Sequence, residues 1–376
     1  MPAYDELVVL SHLRWTWVWQ RPQHLVSRLG RDVPTWFVEE PMPTDGVDAP
    51  RLTTAPDGAV TRVWWQVPGP ARWAGFNDPG AAGYADAVAD LFPPRPGRVV
   101  WLYTAMALPL AQRIEHDVLV YDVMDDLASF KGAAPELRLR HRAALRAADV
   151  VFTGGRSLHA GVAAVRRTGV HCFPSGVEPE HYASAVGLRP ARRERPVAGY
   201  VGVVDERLDL GLVADLAAAL PDWDVEIVGP VCKIDEADLP QASNLRWAGP
   251  RRYDELPGVM AGFDVALMPF ALNEATRSIS PTKTLEYLAA GLPVVSTRVP
   301  DVVADHAAWV DLADDGPSFA AACRRALDVD PAARRAATAE VLRHDHWDAI
   351  AARMGAAIAA AMTDGEGPEA VEAAGS

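Results

Sequence analysis

The chain has 376 residues, 49% of them apolar, and a formal net charge of −14. That length exceeds one ordinary core, so two domains are expected, and the acidic balance excludes a general nucleic-acid binder. Cys172, Cys232 and Cys323 are scattered, the acidic N-terminus lacks a signal peptide's basic and apolar regions, and no apolar run approaches the roughly 18 residues of a spanning helix. A soluble, cytoplasmic protein is expected, bound at most to the inner face of a membrane.

Leu7–Leu10 is a short apolar strand, followed by a loop over 11–19 and a helix over 21–29. Thr35–Val38 and Val60–Val67 are strands, with Pro/Gly-rich loops predicted at 41–56 and 68–79. A helix at 81–91 and a strand at 98–103 come next. The strand Val118–Tyr121 leads into Asp122-Val-Met-Asp-Asp126, and then a helix is expected over 135–148. Strand 150–152, helix 157–167 and strand 170–173 complete this half. Apolar strands without alternation, separated by helices, indicate a parallel sheet covered on both faces.

Residues 183–196 are polar, basic and flanked by proline, and read as a linker. The alternation then restarts, with strands at 197–204, 225–228 and 245–247 and helices at 210–220 and 253–261. The strand Asp264–Phe270 and a polar loop lead into Ser280-Pro-Thr-Lys-Thr-Leu-Glu-Tyr-Leu-Ala-Ala-Gly291. There Ser280 suits a helix cap, Pro281 the first helical position and Gly291 the helix end. Later strands fall at 294–295 and 309–312, and helices at 317–328, 331–343 and 346–362, before a tail at 363–376 that reads as disordered. The expected fold class is α/β: two doubly wound domains, 1–183 and 197–345, with helix 346–362 returning to the first. Ligands in such sheets bind beyond the carboxyl ends of the strands, which places the expected site in a cleft between facing domains.

The phrase Glu286-Tyr-Leu-Ala-Ala-Gly-Leu-Pro-Val-Val-Ser-Thr297 resembles the donor-site helix of GT-B glycosyltransferases, the retaining family-4 group. Phe173-Pro-Ser-Gly-Val-Glu178, Ala148–Ser157 and Gly249-Pro-Arg-Arg-Tyr-Asp-Glu-Leu256 resemble further segments of that family in the same order. The resemblance runs over roughly 5–360 and is nearest to cell-surface polysaccharide transferases of the teichuronic-acid type. It implies a nucleotide-sugar donor, UDP favoured over GDP, and a glycan or lipid-linked acceptor. The family often carries a second glutamate, eight residues before Glu286, and here that position is Ser278. Glu274 is the candidate replacement. The family's usual Arg and Lys after the first strand of the second domain reduce to Arg207, with Lys283 or Arg277 as a second cation.

Glycosyl transfer requires stabilisation of a departing diphosphate, and a helix N-terminus with nearby cations can supply it. Gly202, Arg207, Arg251, Ser280, Pro281, Thr282, Lys283, Thr284 and Glu286 are therefore the expected donor-binding residues, with Glu286 accepting from both ribose hydroxyls. No metal ligand set or other cofactor is implied. Bland readings stand beside these: Glu286 as a dipole partner, Ser280 and Thr282 as caps, Lys283 as a solvated lysine. Asp122 and Asp125, past a strand's carboxyl end, join Glu274 as catalytic candidates, against a loop-closing alternative. His12, Trp15, Trp17, Arg21 and His24 are acceptor-site candidates, although any single Trp there can equally be a packing residue. Arg138, Arg142 and Arg146 form a helical stripe that is either a solvated face or a contact for anionic lipid. A nucleotide-sugar 2-epimerase and a non-catalytic nucleotide-sugar binder remain alternative functions.

Overall fold

The computed structural model describes residues 3–69, 75–76, 83–129, 133, 135–190 and 194–364. The chain divides into two compact units, Met1–Pro174 with Asp348–Ser376, and Ser175–Trp347.

The first unit contains β1 (Glu6–Ser11), α1 (Arg21–Leu29), β2 (Thr35–Glu39), β3 (Met42–Pro43), β4 (Arg51–Asp57) and β5 (Val60–Val67). It continues with α2 (Tyr84–Ala89), β6 (Arg98–Leu102), α3 (Leu108–Ala111), β7 (Val118–Val123), α4 (Leu137–Ala147), β8 (Val150–Thr153), α5 (Arg156–Ala163) and β9 (Val170–Cys172). The sheet order is β3-β5-β2-β1-β6-β7-β8-β9, with β4 on β5. Every pairing is parallel except β4 with β5. Strand order reverses between β1 and β6, so the loops after these strands border the crevice where such sheets bind ligands.

Two readings of this unit change. The stretch 41–56 is not all loop, because β4 makes a hairpin with β5 through Gly58, whose φ is 59°. Its sequence, Arg-Leu-Thr-Thr-Ala-Pro-Asp, is exposed or half-buried throughout, and proline suits an edge strand, so it carries no core pattern. Asp122 is not past the end of its strand but inside β7 and fully buried. The predicted loop at 68–79 and tail at 363–376 fall largely outside the described residues.

The second unit contains α6 (Pro179–Leu188), β10 (Val197–Val201), α7 (Leu210–Ala219), β11 (Asp224–Val228), β12 (Leu245–Trp247) and α8 (Leu256–Ala261). Then come β13 (Val265–Met268), α9 (Thr282–Ala289), β14 (Val294–Ser296), α10 (Pro300–His306), β15 (Val310–Leu312), α11 (Gly316–Ala326) and α12 (Pro331–His344). The sheet runs β12-β11-β10-β13-β14-β15, and all its pairings are parallel. Side chains of β10 alternate between two cores. Val197 and Val201 join Met260 of α8 and Leu285 of α9, while Ala198 and Tyr200 join Leu216 of α7 and Phe319 of α11. This places helices on both faces of the sheet. Part of the stretch read as a linker, 183–188, is helical, because Tyr182 and Ala185 bury one side of α6.

The chain ends in α13 (Trp347–Asp364), which lies with the first unit from Asp348 onward. Arg28 pairs with Asp348 at 2.5 Å, and the Arg353 guanidinium sits 5.6 Å from the Phe173 ring centre.

One buried ion pair of the first unit joins α1 to β7. Arg21 meets Asp122 through two 3.0 Å bonds and donates a third, 2.8 Å, to the Phe173 carbonyl. Removing one partner of a buried pair leaves an uncompensated charge. Arg21→Ala is therefore expected to lose about 3–5 kcal/mol of stability, measured by urea denaturation.

Candidate functional site

Strand order in the second unit reverses between β10 and β13, and of the candidate donor residues Gly202 and Lys283 meet beside the end of β10. Beyond Gly199, β10 has no further register with β13. The hydroxyl of Tyr287, on buried α9, takes over: it accepts from the Val201 N–H at 2.8 Å and donates to the Val201 carbonyl at 3.3 Å. This fixes α9 against the end of β10. It also orients Lys283 one turn earlier and Glu286 one residue earlier.

Lys283 lies over the backbone of Gly202. A Cβ at residue 202 would stand 2.0 Å from the Lys283 side-chain Cε and 2.8 Å from the Tyr200 hydroxyl. The lysine Nζ is 5.6 Å from the Tyr200 ring centre. A Cβ on Gly229 would lie 1.8 Å from the Gly202 carbonyl, so the loops after β10 and β11 touch backbone to backbone. Glycine at 229 is a requirement of backbone close approach, while a Cβ at 202 would displace the end of the Lys283 side chain.

Glu286 is half-buried on α9. Burial pushes its carboxyl above the usual carboxylate range, while Lys283, the Tyr182 hydroxyl and the Thr282 hydroxyl pull it back. Around it stand Tyr182 of α6 and Tyr253, in the 3-10 turn before α8. Tyr253 donates to Glu178 at 2.5 Å and stacks on His181 with ring centres 4.2 Å apart. The chain ends α9 with Gly291 at φ 70°; its N–H reaches Leu288 and the Leu292 N–H reaches Tyr287, closing the helix as expected.

Other expectations about this stretch change. The helix begins at Thr282 with Pro281 at the cap, and Ser280 makes no cap bond. Ser280 instead accepts through its carbonyl from the Ser175 hydroxyl at 2.8 Å. Thr284 is fully buried and its hydroxyl faces the Met268 sulfur at 3.5 Å. Arg207 is held by buried Asp205, at 2.7 Å for its shortest contact. Arg251 is exposed and its guanidinium bonds the neighbouring Pro250 carbonyl.

Glu274 is exposed on the loop after β13 and is not among the groups acting on Glu286. That loop is tied to the one after β10: Ala271 donates to the Arg207 carbonyl, and the Asn273 amide to the Glu206 carbonyl, both at 2.9 Å.

In the first unit, Asp122 and Arg21 bind each other, so neither is presented as a solvent-facing polar group. Asp125 is half-buried and acts on Arg21 through its charge. Trp15 is buried against Phe37, with ring centres 5.0 Å apart, and is a core residue. His24 is buried and accepts from the Trp19 indole at 3.2 Å. His12 is half-buried, whereas Trp17 is 52% exposed.

Sequence reasoning missed Tyr182 and Asp205, and used Glu178 and Tyr253 only as parts of longer phrases. The phrases were the available signal, but nothing in them said that these side chains gather around Glu286.

Solved structures define the class of fold. An E. coli trehalose-6-phosphate structure bound with UDP-2-fluoro glucose aligns with 96% of this chain and 99% of its own, at 13% identity and TM-score 0.68. A UDP-forming α,α-trehalose-phosphate synthase of Burkholderia vietnamiensis covers 94% and 98%, at 15% identity and TM-score 0.67. The fold is GT-B, with two Rossmann-like units in one chain.

More particularly, residues 195–329 match the family described as glycosyl transferases group 1. A Bacillus subtilis (strain 168) protein, provisionally named teichuronic acid biosynthesis glycosyltransferase TuaH, is 33% identical over 172 residues. That match spans 43% of this chain and 43% of the relative.

The raised Glu286 carboxyl gives a stability prediction. An acid whose folded pKa lies above its unfolded one favours folding at low pH and costs stability as pH rises between the two values. Glu286→Gln is expected to raise the melting temperature at neutral pH, by about 2–4 °C if it returns about 1 kcal/mol. The gain should vanish at pH below the ordinary carboxylate range.

Proposed function

We propose that this protein transfers a sugar from a nucleotide-sugar donor, with UDP as the nucleotide, to a glycan or lipid-linked acceptor. The supporting observation is the gathering of Lys283, Glu286 and the bare backbone of Gly202 at the β10/β13 reversal, inside the region that matches glycosyl transferases group 1. Two of the similar structures are described with UDP, which favours it as the nucleotide.

In this reading the backbone N–H groups at the start of α9, together with the lysine ammonium, hold the diphosphate. Their interaction strengthens as negative charge develops on the leaving group, which is what accelerates transfer. Glu286 accepts from the two ribose hydroxyls, and must be ionised to do so. Arg207 contributes only if the diphosphate draws it from Asp205, because the pair at 2.7 Å is otherwise closed. Retention of configuration and independence of a metal belong to the same proposal, as does a role in cell-surface polysaccharide synthesis, to which the TuaH likeness lends support.

UDP should protect the protein against thermal unfolding more than GDP does, in proportion to ligand concentration over Kd. Glu286→Ala should weaken UDP binding by about 10–150-fold, the loss of a hydrogen bond to a charged group, with the fold retained. No protection by any nucleoside diphosphate, or no acceptor-dependent diphosphate release from UDP-sugars, overturns the proposal.

An acceptor carried on lipid would bring the protein to a membrane face, and α4 is the surface proposed for it. No helix among the described residues is long and apolar enough to cross a membrane. On α4, Arg138, Arg142 and Arg146 are exposed, and Leu139 is 70% exposed beside them. Anionic liposomes should bind the protein in low salt, and Arg138→Gln, Arg142→Gln and Arg146→Gln together should abolish it. Equal binding to neutral liposomes, or by the triple variant, refutes this surface.

A further inference from the structure

Arg207 is the one basic residue between Gly202 and Asp209, and a carboxylate on the same loop holds it. Asp205 accepts from the Arg207 backbone N–H at 3.0 Å, from Nε at 3.0 and 3.1 Å, and from a terminal guanidinium nitrogen at 2.7 Å. The aspartate side chain is 3% exposed and the arginine side chain 28%. The guanidinium is thus folded back on its own loop, with a buried partner and part of its own surface open to solvent.

The backbone around the pair is fastened on both sides. Gly202 donates to the Val228 carbonyl at 2.8 Å, and Val204 donates to Pro230 and accepts from Cys232, both at 2.9 Å. On the other side Leu208 bridges Phe270, and Asp209 donates to the Pro269 carbonyl at 2.9 Å. The Glu206 and Arg207 carbonyls are held by Asn273 and Ala271. Only the Arg207 side chain can change partner without breaking these bonds. The same loop begins at Gly202, where Lys283 lies. Tyr200 links the two: its ring centre is 5.6 Å from the lysine Nζ, and its hydroxyl donates to the Val203 carbonyl at 3.0 Å. Its ring also meets Phe270 edge-on at 6.4 Å, the residue bridged to Leu208 beside Arg207. An anion on Lys283 and the Gly202 backbone therefore has Arg207 as the next cation along the loop, and the Asp205 carboxylate competing for it.

We infer that Asp205 is a positioning residue that acts through Arg207: it competes with the ligand diphosphate for the guanidinium, limits the affinity of the product and so speeds its release. The inference rests on the diphosphate reading of Lys283 and Gly202 and adds the group that sets its strength. Transfer of Arg207 to a diphosphate exchanges one set of charge-assisted bonds for another and leaves a buried carboxylate without that partner, so the ligand gains little. The aspartate charge also repels an anion seated nearby. Such a limit suits a transferase, whose leaving group needs charge stabilisation as it departs but must then dissociate before the next turnover.

Asp205→Asn keeps the shape and an acceptor for the Arg207 N–H but removes the charge. Isothermal titration should show UDP bound about 5–30-fold more tightly by this variant, with its release slowed by a similar factor. Uridine, which has no phosphate, should bind as before, and inorganic pyrophosphate should follow UDP. A double-mutant cycle assigns the gain: Arg207→Gln should weaken UDP binding by less than about threefold alone, and by about tenfold or more beside Asp205→Asn. In the native protein, UDP should shift the Arg207 Nε–H resonance while the backbone amides of Val204 and Asp209 stay protected from hydrogen exchange; this readout serves if Asp205→Asn does not fold. A merely structural Asp205 would weaken uridine and UDP alike and show no coupling to Arg207. That result, unchanged or weaker binding of UDP and pyrophosphate by Asp205→Asn, or an Arg207 resonance unmoved by bound UDP overturns the inference. Tighter pyrophosphate binding in a protein that takes no UDP would instead count against the nucleotide reading alone.

Discussion

In the second unit one hydroxyl, that of Tyr287, ties helix α9 to strand β10. Beyond Gly199 the strand β10 keeps its pairing with β11 but has no further register with β13, and buried peptide groups on that side need partners. Tyr287 satisfies both the N–H and the carbonyl of Val201, so helix α9 is fastened to the strand in place of another strand. Helical geometry then decides the rest. Lys283, one turn before Tyr287, is laid over Gly202, with Glu286 three residues further along the helix. A residue with a Cβ at 202 could not share this arrangement with the lysine.

The same fastening explains the electrostatics. Bringing α9 against β10 and α6 withdraws Glu286 from water and pushes its carboxyl upward, while the nearby lysine and hydroxyls limit the rise. Asp122 in the first unit shows the opposite case. Arg21 meets it bidentately and also binds the Phe173 carbonyl, so that carboxylate serves the fold.

Much of the candidate site was legible because helix punctuation is local. Gly291 must adopt positive φ, proline must end a helix, and the phrase from Ser280 onward declares a helix after a strand wherever it lies. The same local logic failed by one residue at Ser280, where Pro281 became the cap and the serine side chain made no cap bond. It did not reveal the tertiary partners of Arg207, Thr284, Arg21 and Trp15. Their residue types suit a ligand site, but Asp205, Met268, Asp122 and Phe37 engage them.

The sequence by itself determined the alternation of strands and helices, the restart of that pattern after the first half, and the helix carrying Lys283 and Glu286. Those follow from apolar runs, glycine and proline, whose effects reach only a few residues. Tertiary structure alone decided the reversal of strand order in each sheet, the exposed edge strand β4, and the partners of every buried charge. These depend on contacts between residues far apart in the chain: 101 positions separate Arg21 from Asp122, and 86 separate Val201 from Tyr287.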